Sequence, residues 1–147
     1  MIDNREKRWV TNTLIPKLKK EGFHMQKHED RHTKGIPDVS FGKATNNGWI
    51  EAKVHTKDWL QGEVLKLDHP VTPEQKNWIS KRGKKGGRCW VAIKTRSQLF
   101  LIHSSLVRDI GKEPLEFFVA RRQHLFFCWG LENKNLWPEF GLEILSR

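Results

Sequence analysis

Residues 35–54, GIPDVSFGKATNNGWIEAKV, place acidic side chains on two neighbouring predicted strands. Asp38 lies near the start of the first strand, and Glu51 and Lys53 lie near the end of the second. Because side chains two residues apart on a strand share a face, Glu51 and Lys53 point in the same direction. The stretch therefore predicts a cluster of two carboxylates and one ammonium group.

Paired carboxylates of this kind suit a divalent metal that prefers oxygen ligands, namely Mg²⁺, with Mn²⁺ as a substitute. We expect Asp38 and Glu51 to bind the metal, and the backbone carbonyl of Ala52 could add a ligand. A metal at this point would polarise a phosphate and lower the pKa of a bound water. Lys53 would orient that water or stabilise charge on the phosphate.

The charge balance agrees with a nucleic-acid substrate. The 147 residues include 27 Lys and Arg against 17 Asp and Glu, which gives a net charge of +10 and a pI near 9.9. An excess of this size attracts polyanions, of which nucleic acid is the commonest. A membrane is a weak alternative, because the sequence has no long apolar run and no basic amphipathic helix that stands out.

Length and cysteine content indicate the class of protein. We expect one domain over 1–147, with a core over about 3–103 and a C-terminal extension over about 104–147. The polar N-terminus does not resemble a signal peptide. Cys89 and Cys128 lie far apart, as expected for reduced thiols in an intracellular protein, either cytoplasmic or viral and acting in the host cytoplasm.

Apolar periodicity and capping residues predict the order of elements around this stretch. They predict a helix over 4–21, strands over 23–29, 37–41 and 49–54, a helix from Thr72 ending before Gly83, strands over 89–94 and 99–103, and a short helix capped by Ser104 and closed by Gly111. Pro16 removes a backbone hydrogen bond from the first helix and should kink it. Residues 46–48, Asn-Asn-Gly, supply turn chemistry between two strands.

Two segments have less definite predictions. Residues 55–71 mix apolar and charged side chains and receive no assignment, although a connection of this length is often a functional loop. The aromatic run over 125–129 lacks interleaved Lys or Arg, so it indicates core or a dimer interface rather than a surface for stacking bases.

Pro37-Asp38 followed by Glu51-Ala52-Lys53 resembles the motif of the PD-(D/E)XK nuclease superfamily. The Gly-Ile-Pro-Asp context and the run Thr-Pro-Glu-Gln-x-x-Trp over 72–78 resemble its virus-type replication-repair nuclease branch, which is close to Holliday-junction resolvases. The resemblance covers roughly residues 6–95. It implies a restriction-endonuclease-like α/β fold with the order helix, three-stranded meander, helix, strand, followed here by the extension.

The same resemblance implies an activity and further site residues. It implies metal-dependent hydrolysis of phosphodiester bonds by a DNA endonuclease, with a homodimer acting on branched DNA. Asp38 and Glu51 match the metal ligands and Lys53 the catalytic lysine. Gln75 matches a glutamine that supports the site from the following helix, and Glu6 matches an acidic residue of the first helix.

Glu6 and Gln75 could each serve to cap a helix instead of serving the site. Glu6 stands three residues after Asp3, so it could instead complete a capping box at the start of the helix. Gln75 forms a capping box with Thr72 as written, and capping and site support are compatible.

Other polar groups remain open to two interpretations. The basic residues that follow the second helix are either a solvated loop or phosphate contacts; they are Lys81, Arg82, Lys84, Lys85 and Arg88. His24, His28 and His32 recur every four residues, but they fall on a predicted strand and loop, which argues against a metal stripe on a helix.

Three alternative functions stay open at the level of sequence. The chain could be a flap, single-strand, nicking or RNA nuclease of the same superfamily. It could also be a basic DNA-binding module without catalysis, or a subunit of a recombination complex. Metal-dependent cleavage distinguishes the first from the other two.

Overall fold

The computed structural model describes residues 4–29 and 34–146. The helices are α1 (Asn4–Trp9), α2 (Ile15–Lys20), α3 (Pro73–Lys84), α4 (Leu115–Val119) and α5 (Leu136–Ser146). The strands are β1 (His24–Lys27), β2 (Val39–Lys43), β3 (Asn46–Val54), β4 (Arg88–Lys94), β5 (Gln98–His103) and β6 (Leu125–Trp129). A π-helical turn (Val10–Leu14) joins α1 to α2, and 3-10 helices occupy Ser104–Asp109 and Arg122–His124.

The six strands form one mixed sheet in the order β1-β2-β3-β4-β5-β6. β1, β2 and β3 form an antiparallel meander, and Val39 pairs with Ile50 at the last position of the β2–β3 ladder. The connection through α3 makes β4 parallel to β3, with Glu51 beside Val91. The structure thus confirms the predicted α/β class and the order helix, three-stranded meander, helix, strand.

Each face of the sheet packs against its own layer. One face is covered by the N-terminal helices and α5, and its core includes Leu14, Leu18, Phe41, Ile50 and Phe140. The other face is covered by α3, the 3-10 helix at Ser104–Asp109 and residues 55–71, and its core includes Trp59, Ile79, Val91, Phe100 and Phe118. The segment that received no assignment from sequence is therefore a loop that closes the second core.

The N-terminal helix is continuous but contains one wide turn. The backbone N–H of Ile15 donates to the carbonyl of Val10, five residues earlier, as in a π-helix. Pro16 follows at once; it has no N–H to donate, and its ring needs room beside the preceding turn. The sequence predicted a kink at Pro16, and the structure has a π-helical turn directly before this residue.

The turn between β2 and β3 lies earlier than predicted. Residues 44 and 45 make the turn, with Ala44 in the left-handed region at φ 54°, and residues 46–48 belong to β3. Gly48 serves close packing instead, because a Cβ there would lie 2.3 Å from the Phe41 ring and 2.4 Å from the Arg88 carbonyl. The prediction of a turn at Gly48 is therefore wrong, and this glycine is required by packing within the sheet.

α3 begins as predicted, with Thr72 as N-cap and Pro73 at the first helical position. It does not end before Gly83, however, but continues to Lys84. A Cβ at Gly83 would lie 2.1 Å from the Ser104 hydroxyl oxygen, so this glycine permits close contact between α3 and the following 3-10 helix. That contact could not be read from local sequence.

The predicted helix at Ser104 is a 3-10 helix, and its cap is the preceding residue. Nδ1 of His103 accepts a hydrogen bond from the backbone N–H of Ser105 at 3.2 Å. Ser104 itself is buried against Gly83, so its side chain serves packing between two elements rather than capping.

The C-terminal extension joins the sheet rather than standing apart from it. β6 pairs with β5, and α5 packs Leu136, Phe140 and Ile144 into the first core. Within the aromatic run, Leu125 is buried, whereas Phe127 and Trp129 are exposed by 38% and 59%. The run therefore belongs only partly to the core.

Neither cysteine forms a disulfide: Cys89 is buried and Cys128 is half-buried. Burial raises the pKa of the Cys89 thiol to about 12, which makes it unreactive. Among residues 4–29 and 34–146, no helix is long and apolar enough to cross a membrane.

Candidate active site

Asp38 and Glu51 hold each other in place through the backbone. The backbone N–H of Asp38 donates to Oε1 of Glu51 at 3.2 Å, and the backbone N–H of Ala52 donates to Oδ2 of Asp38 at 3.0 Å. The exchange occurs just beyond Val39–Ile50, where β2 stops pairing with β3. The carboxylates thus occupy backbone donors that the sheet has left unpaired.

Lys53 lies beside the carboxylates on the same face of β3. Its Nζ is 3.4 Å from Oε2 of Glu51, and the side chains of Lys53 and Glu51 are only 6% and 2% exposed. Asp38, by contrast, is half-buried. The sequence prediction that strand periodicity brings two carboxylates and one ammonium together is therefore correct as geometry.

Negative charge in this cluster exceeds the positive charge that balances it. Burial raises the pKa of Glu51 well above its ordinary value, and repulsion from Asp38 adds to this, while Lys53 opposes it. Burial also raises the pKa of Asp38, despite hydrogen bonds from Ala52 and Glu51. A further positive charge is what would let both carboxyl groups ionise together.

Gln75 reaches the cluster from the first turn of α3. Its Nε2 donates to Oε2 of Glu51 at 2.9 Å, while its Oε1 accepts from the backbone N–H of Thr72 at 2.9 Å. The Thr72 hydroxyl accepts in turn from the Gln75 backbone N–H at 3.1 Å. The capping box is confirmed, and it fixes the side chain that touches Glu51; the support of a catalytic site by Gln75 stays a prediction.

Glu6 reaches β3 from α1. Its Oε2 accepts from the backbone N–H of Val54 at 3.4 Å, and its charge contributes to the raised pKa of Glu51. Asp3, the other half of the alternative capping box, lies outside the described residues. Asp38 and Glu6 therefore bind successive backbone N–H groups, those of Ala52 and Val54, along one edge of β3.

This arrangement fixes the direction of the Ala52 carbonyl. The N–H and C=O of one strand residue point to the same side, because paired residues exchange both groups with the same neighbour. Since the Ala52 N–H points to Asp38, its carbonyl faces the same edge, between the attachment points of Asp38 and Glu6.

The predicted basic residues do not form one surface. Lys81, Arg82, Lys84 and Lys85 are exposed at the end of α3. Arg88 is half-buried instead, and its Nε donates to the Leu145 carbonyl of α5 at 3.0 Å. Arg88 therefore ties β4 to α5, and the other four remain as candidates for phosphate contact.

Histidine and cysteine contribute no metal centre to the described chain. His24 is exposed on β1, His28 lies just after it, and His32 falls outside the described residues. Within 4–29 and 34–146, no group of three or more His, Cys, Asp or Glu is placed to hold a metal ion.

Sequence reasoning named Trp78 only as part of the run over 72–78 and did not predict that aromatic side chains lie beside the site. Trp49 precedes Glu51 by two residues on β3, and Trp78 follows Gln75 by one helical turn; their ring centroids are 5.2 Å apart. The signal available was spacing, since Trp49 shares the strand face of Glu51 and Lys53.

Comparisons with known proteins find similarity at the level of structure only. No family model matches the chain, and no curated protein matches its sequence. Among solved structures, the chain is similar to Hjc from Archaeoglobus fulgidus, a Holliday junction resolvase from an archaeal hyperthermophile. The identity is 15%, the alignment covers 93% of each chain and the TM-score is 0.49.

Proposed function

We propose that the protein is a metal-dependent DNA endonuclease that hydrolyses phosphodiester bonds. One observation carries the proposal: Asp38 and Glu51 are interlocked beside the buried Lys53, with their negative charge only partly balanced. A cluster that served stability alone would gain from fully balanced charge, because burying an unpaired carboxylate is costly.

The residues present fit a hard divalent cation such as Mg²⁺, with Mn²⁺ as its substitute. Mg²⁺ is commonly bound through one or two carboxylates together with water and substrate phosphate, so the two carboxylates are a sufficient protein contribution. Asp38, Glu51 and the Ala52 carbonyl would hold it. When bound, the metal would polarise the phosphate and supply an acidified water.

The remaining side chains act around that centre. Lys53 orients the attacking water or stabilises the charge that develops on the phosphate. Gln75 fixes one oxygen of Glu51, which leaves the carboxylate a single orientation. Glu6 contributes negative charge at the same edge of β3 and assists in drawing the cation to it.

The substrate class follows from charge and from the motif. A net charge of +10 and four exposed basic side chains at the end of α3 favour a polyanion. We propose that the polyanion is branched DNA and that the protein acts as a homodimer, because the motif of residues 37–53 and 72–78 resembles that of junction-resolving nucleases. A two-fold dimer would present two sites to a symmetric junction.

The first experiment compares wild type with Glu51→Ala, with Glu74→Ala as a matched control. Glu74 is an exposed carboxylate beside Gln75 in the first turn of α3. End-labelled four-way junction, flap, linear duplex and single strand are each incubated in Mg²⁺, Mn²⁺ or EDTA. We expect paired, symmetric cuts near the junction centre that need metal and Glu51, while Glu51→Ala still binds DNA and Glu74→Ala still cuts.

Other outcomes would change or overturn the proposal. Metal-dependent cutting of a flap, a single strand or RNA would keep the site and change the substrate. Tight binding of DNA without cutting in either metal would overturn the proposal of a nuclease and favour a DNA-binding module. Loss of binding with cleavage retained in Glu51→Ala would refute the assignment of Glu51.

A further inference from the structure

A row of planar side chains runs beside the candidate active site. The Trp49 and Trp78 rings meet edge to face, at 5.2 Å between centroids and 72° between planes. The His28 ring lies 4.8 Å from Trp49, and the Arg82 guanidinium lies 6.0 Å from the Trp78 ring. The order of the row is therefore His28, Trp49, Trp78, Arg82, which we call the aromatic row.

The aromatic row is attached to the residues of the site at three points. The backbone N–H of His28 donates to the carbonyl of Asp38 at 2.7 Å, and its Nε2 lies 2.8 Å from the Ser40 hydroxyl. Trp49 shares a strand face with Glu51, and Trp78 lies one turn beyond Gln75 on α3. The aromatic row therefore lies beside the residues to which the proposed function brings the phosphate.

The two tryptophans of the row differ from those of the core. Trp59 and Trp90 are fully buried, and their indole N–H groups donate to the carbonyls of Glu63 and Ile144. Trp49 and Trp78, by contrast, are half-buried. Part of each ring thus remains available at the surface.

The chemistry of the row fits one kind of partner. Indole rings stack on nucleobases of any sequence, and a guanidinium over the ring adds a cation that attracts the phosphate beside the base. A base within a duplex keeps its faces covered by its neighbours, so only an unpaired base can use such a surface. The exposed Lys81 and Lys85 extend the positive charge beyond Arg82.

We propose that Trp78, supported by Trp49 and Arg82, stacks against an unpaired nucleobase beside the scissile phosphate and so selects DNA with a locally unpaired strand. This inference rests on the proposed function for the position of the phosphate. Trp78 is then a specificity-determining residue, and the metal site would cut near points where a strand leaves the duplex.

The test measures binding in EDTA, where no cleavage occurs. A linear duplex is compared with the same duplex containing a short single-stranded gap, for wild type, Trp78→Leu and Trp78→Phe. Trp129→Leu is the control, because Trp129 is 59% exposed on β6 and distant from the site in the sheet order. Leucine keeps apolar volume but cannot stack, whereas phenylalanine can.

We expect Trp78→Leu to weaken binding of gapped DNA about tenfold and that of intact duplex less than about twofold. Trp78→Phe should keep most of the preference, and Trp129→Leu all of it. Equal loss on both DNAs, or no loss on either, would overturn the proposal. Melting curves show whether each variant is folded.

A second measurement uses wild type alone and so does not depend on variant folding. Gapped DNA carrying 5-iododeoxyuridine in the gap is irradiated with the protein, and the cross-linked peptide is identified by mass spectrometry. Cross-links at Trp78 or Trp49 support the proposal, and cross-links confined to other residues refute it. Because neither measurement requires cleavage, failure of the proposed function and failure of this inference give different results.

Discussion

Two clusters of carboxylates and hydrogen-bonding side chains lie beside this sheet, one at Asp38 and Glu51 and the other at Asp58, and their pKa values shift in opposite directions. In the first, burial raises the pKa values of Asp38 and Glu51, and repulsion from Asp38 raises that of Glu51 further. In the second, burial would raise the pKa of Asp58, but hydrogen bonds from Ser97 and Thr95 outweigh it, so the pKa is lowered. The backbone N–H of Ser97 donates at 2.8 Å and the Thr95 hydroxyl at 2.7 Å.

The surroundings explain the contrast. Asp58 accepts hydrogen bonds from Ser97 and Thr95, and the charge of Arg96 lowers its pKa further. The adjacent Gln98 binds both backbone groups of Trp59, at 2.7 and 2.9 Å. The Asp58 cluster therefore fastens residues 55–71 to the turn between β4 and β5. Asp38 and Glu51 also receive hydrogen bonds, from Ala52 and from Asp38 and Gln75, but these do not outweigh burial, so both pKa values stay raised. A stabilising cluster is complete as folded, whereas a binding cluster is completed by its ligand.

The largest expected effect is a difference in cleavage rate between variants of Asp38 and variants of Asp58. Asp38→Asn should lower metal-dependent cleavage by about 10³-fold or more, because the metal loses an anionic ligand. Asp58→Asn should leave the cleavage rate per folded molecule unchanged. Rates under single-turnover conditions, with the folded fraction measured by circular dichroism, make the comparison. Equal losses in the two variants would show that the clusters do not differ in kind.

The second expected effect is a difference in the free energy of unfolding between Asp58→Ala and Asp38→Ala. Asp58→Ala should lower the free energy of unfolding by about 2 kcal/mol, since the donors of Ser97 and Thr95 lose a charged acceptor. For a chain of this size the melting temperature should fall by about 6 °C. Asp38→Ala should cost less, because its carboxyl group is held at a raised pKa. Thermal melts in EDTA test both, and a larger loss for Asp38→Ala would reverse the distinction.

The third effect is the pH dependence of stabilisation by metal. Because the folded-state pKa values of Asp38 and Glu51 are raised, the folded chain retains protons that the unfolded chain has released. The metal-free protein therefore loses stability as the pH rises through those raised values. Mg²⁺ binds the deprotonated groups, so the melting temperature in Mg²⁺ minus that in EDTA should increase from pH 5 to pH 8.

The size of that difference follows from mass action. At ten times its dissociation constant, Mg²⁺ would add about 1.4 kcal/mol, or about 4 °C for this chain. Asp38→Asn is the control, since it should lose most of the effect. A difference that stays constant or decreases with pH would show that the two carboxyl groups do not receive the metal.

The smallest expected effect distinguishes helix capping by Gln75 from its hydrogen bond to Glu51. Thr72→Ala and Gln75→Ala each break the capping box, so each should cost about 1 kcal/mol of stability. Only Gln75→Ala also removes the hydrogen bond to Glu51, and it alone should slow cleavage, by about tenfold. Melting curves and single-turnover rates on the pair of variants test this. Equal cleavage rates would reduce Gln75 to a capping residue.

Local signals account for what the sequence could predict. The alternation of a strand placed Glu51 and Lys53 on one face, and Thr72 with Pro73 marked the start of α3, because both rules depend on neighbours within a few residues. The sequence predicted that Asp38 lies near β3, but it did not predict the hydrogen bond that Asp38 accepts from the Ala52 N–H. That hydrogen bond depends on where β2 stops pairing with β3.

Contacts between distant residues account for what the sequence could not predict. Gly48 faces the ring of Phe41 and the backbone of Arg88, and Gly83 faces Ser104, so neither glycine acts as a turn or a helix end. Arg88 belongs to a basic run in sequence but turns toward α5 in space. Such positions are determined by packing between elements, which local pattern does not contain.

The π-helical turn at Val10–Leu14 sets the direction in which Glu6 points relative to the apolar side chains that follow it. Glu6, Val10, Leu14 and Leu18 are spaced by four residues, and a regular α-helix advances about 100° per residue, so the first and last would differ in direction by roughly 120°. One additional residue in the wide turn offsets most of that drift. Glu6 can therefore face β3 while Leu14 and Leu18 face the core. A regular α-helix over the same residues would rotate the acidic side chain away from the site by roughly 120° while leaving the apolar anchor in place, whereas deleting one residue from the turn would keep it within about 20° of its direction.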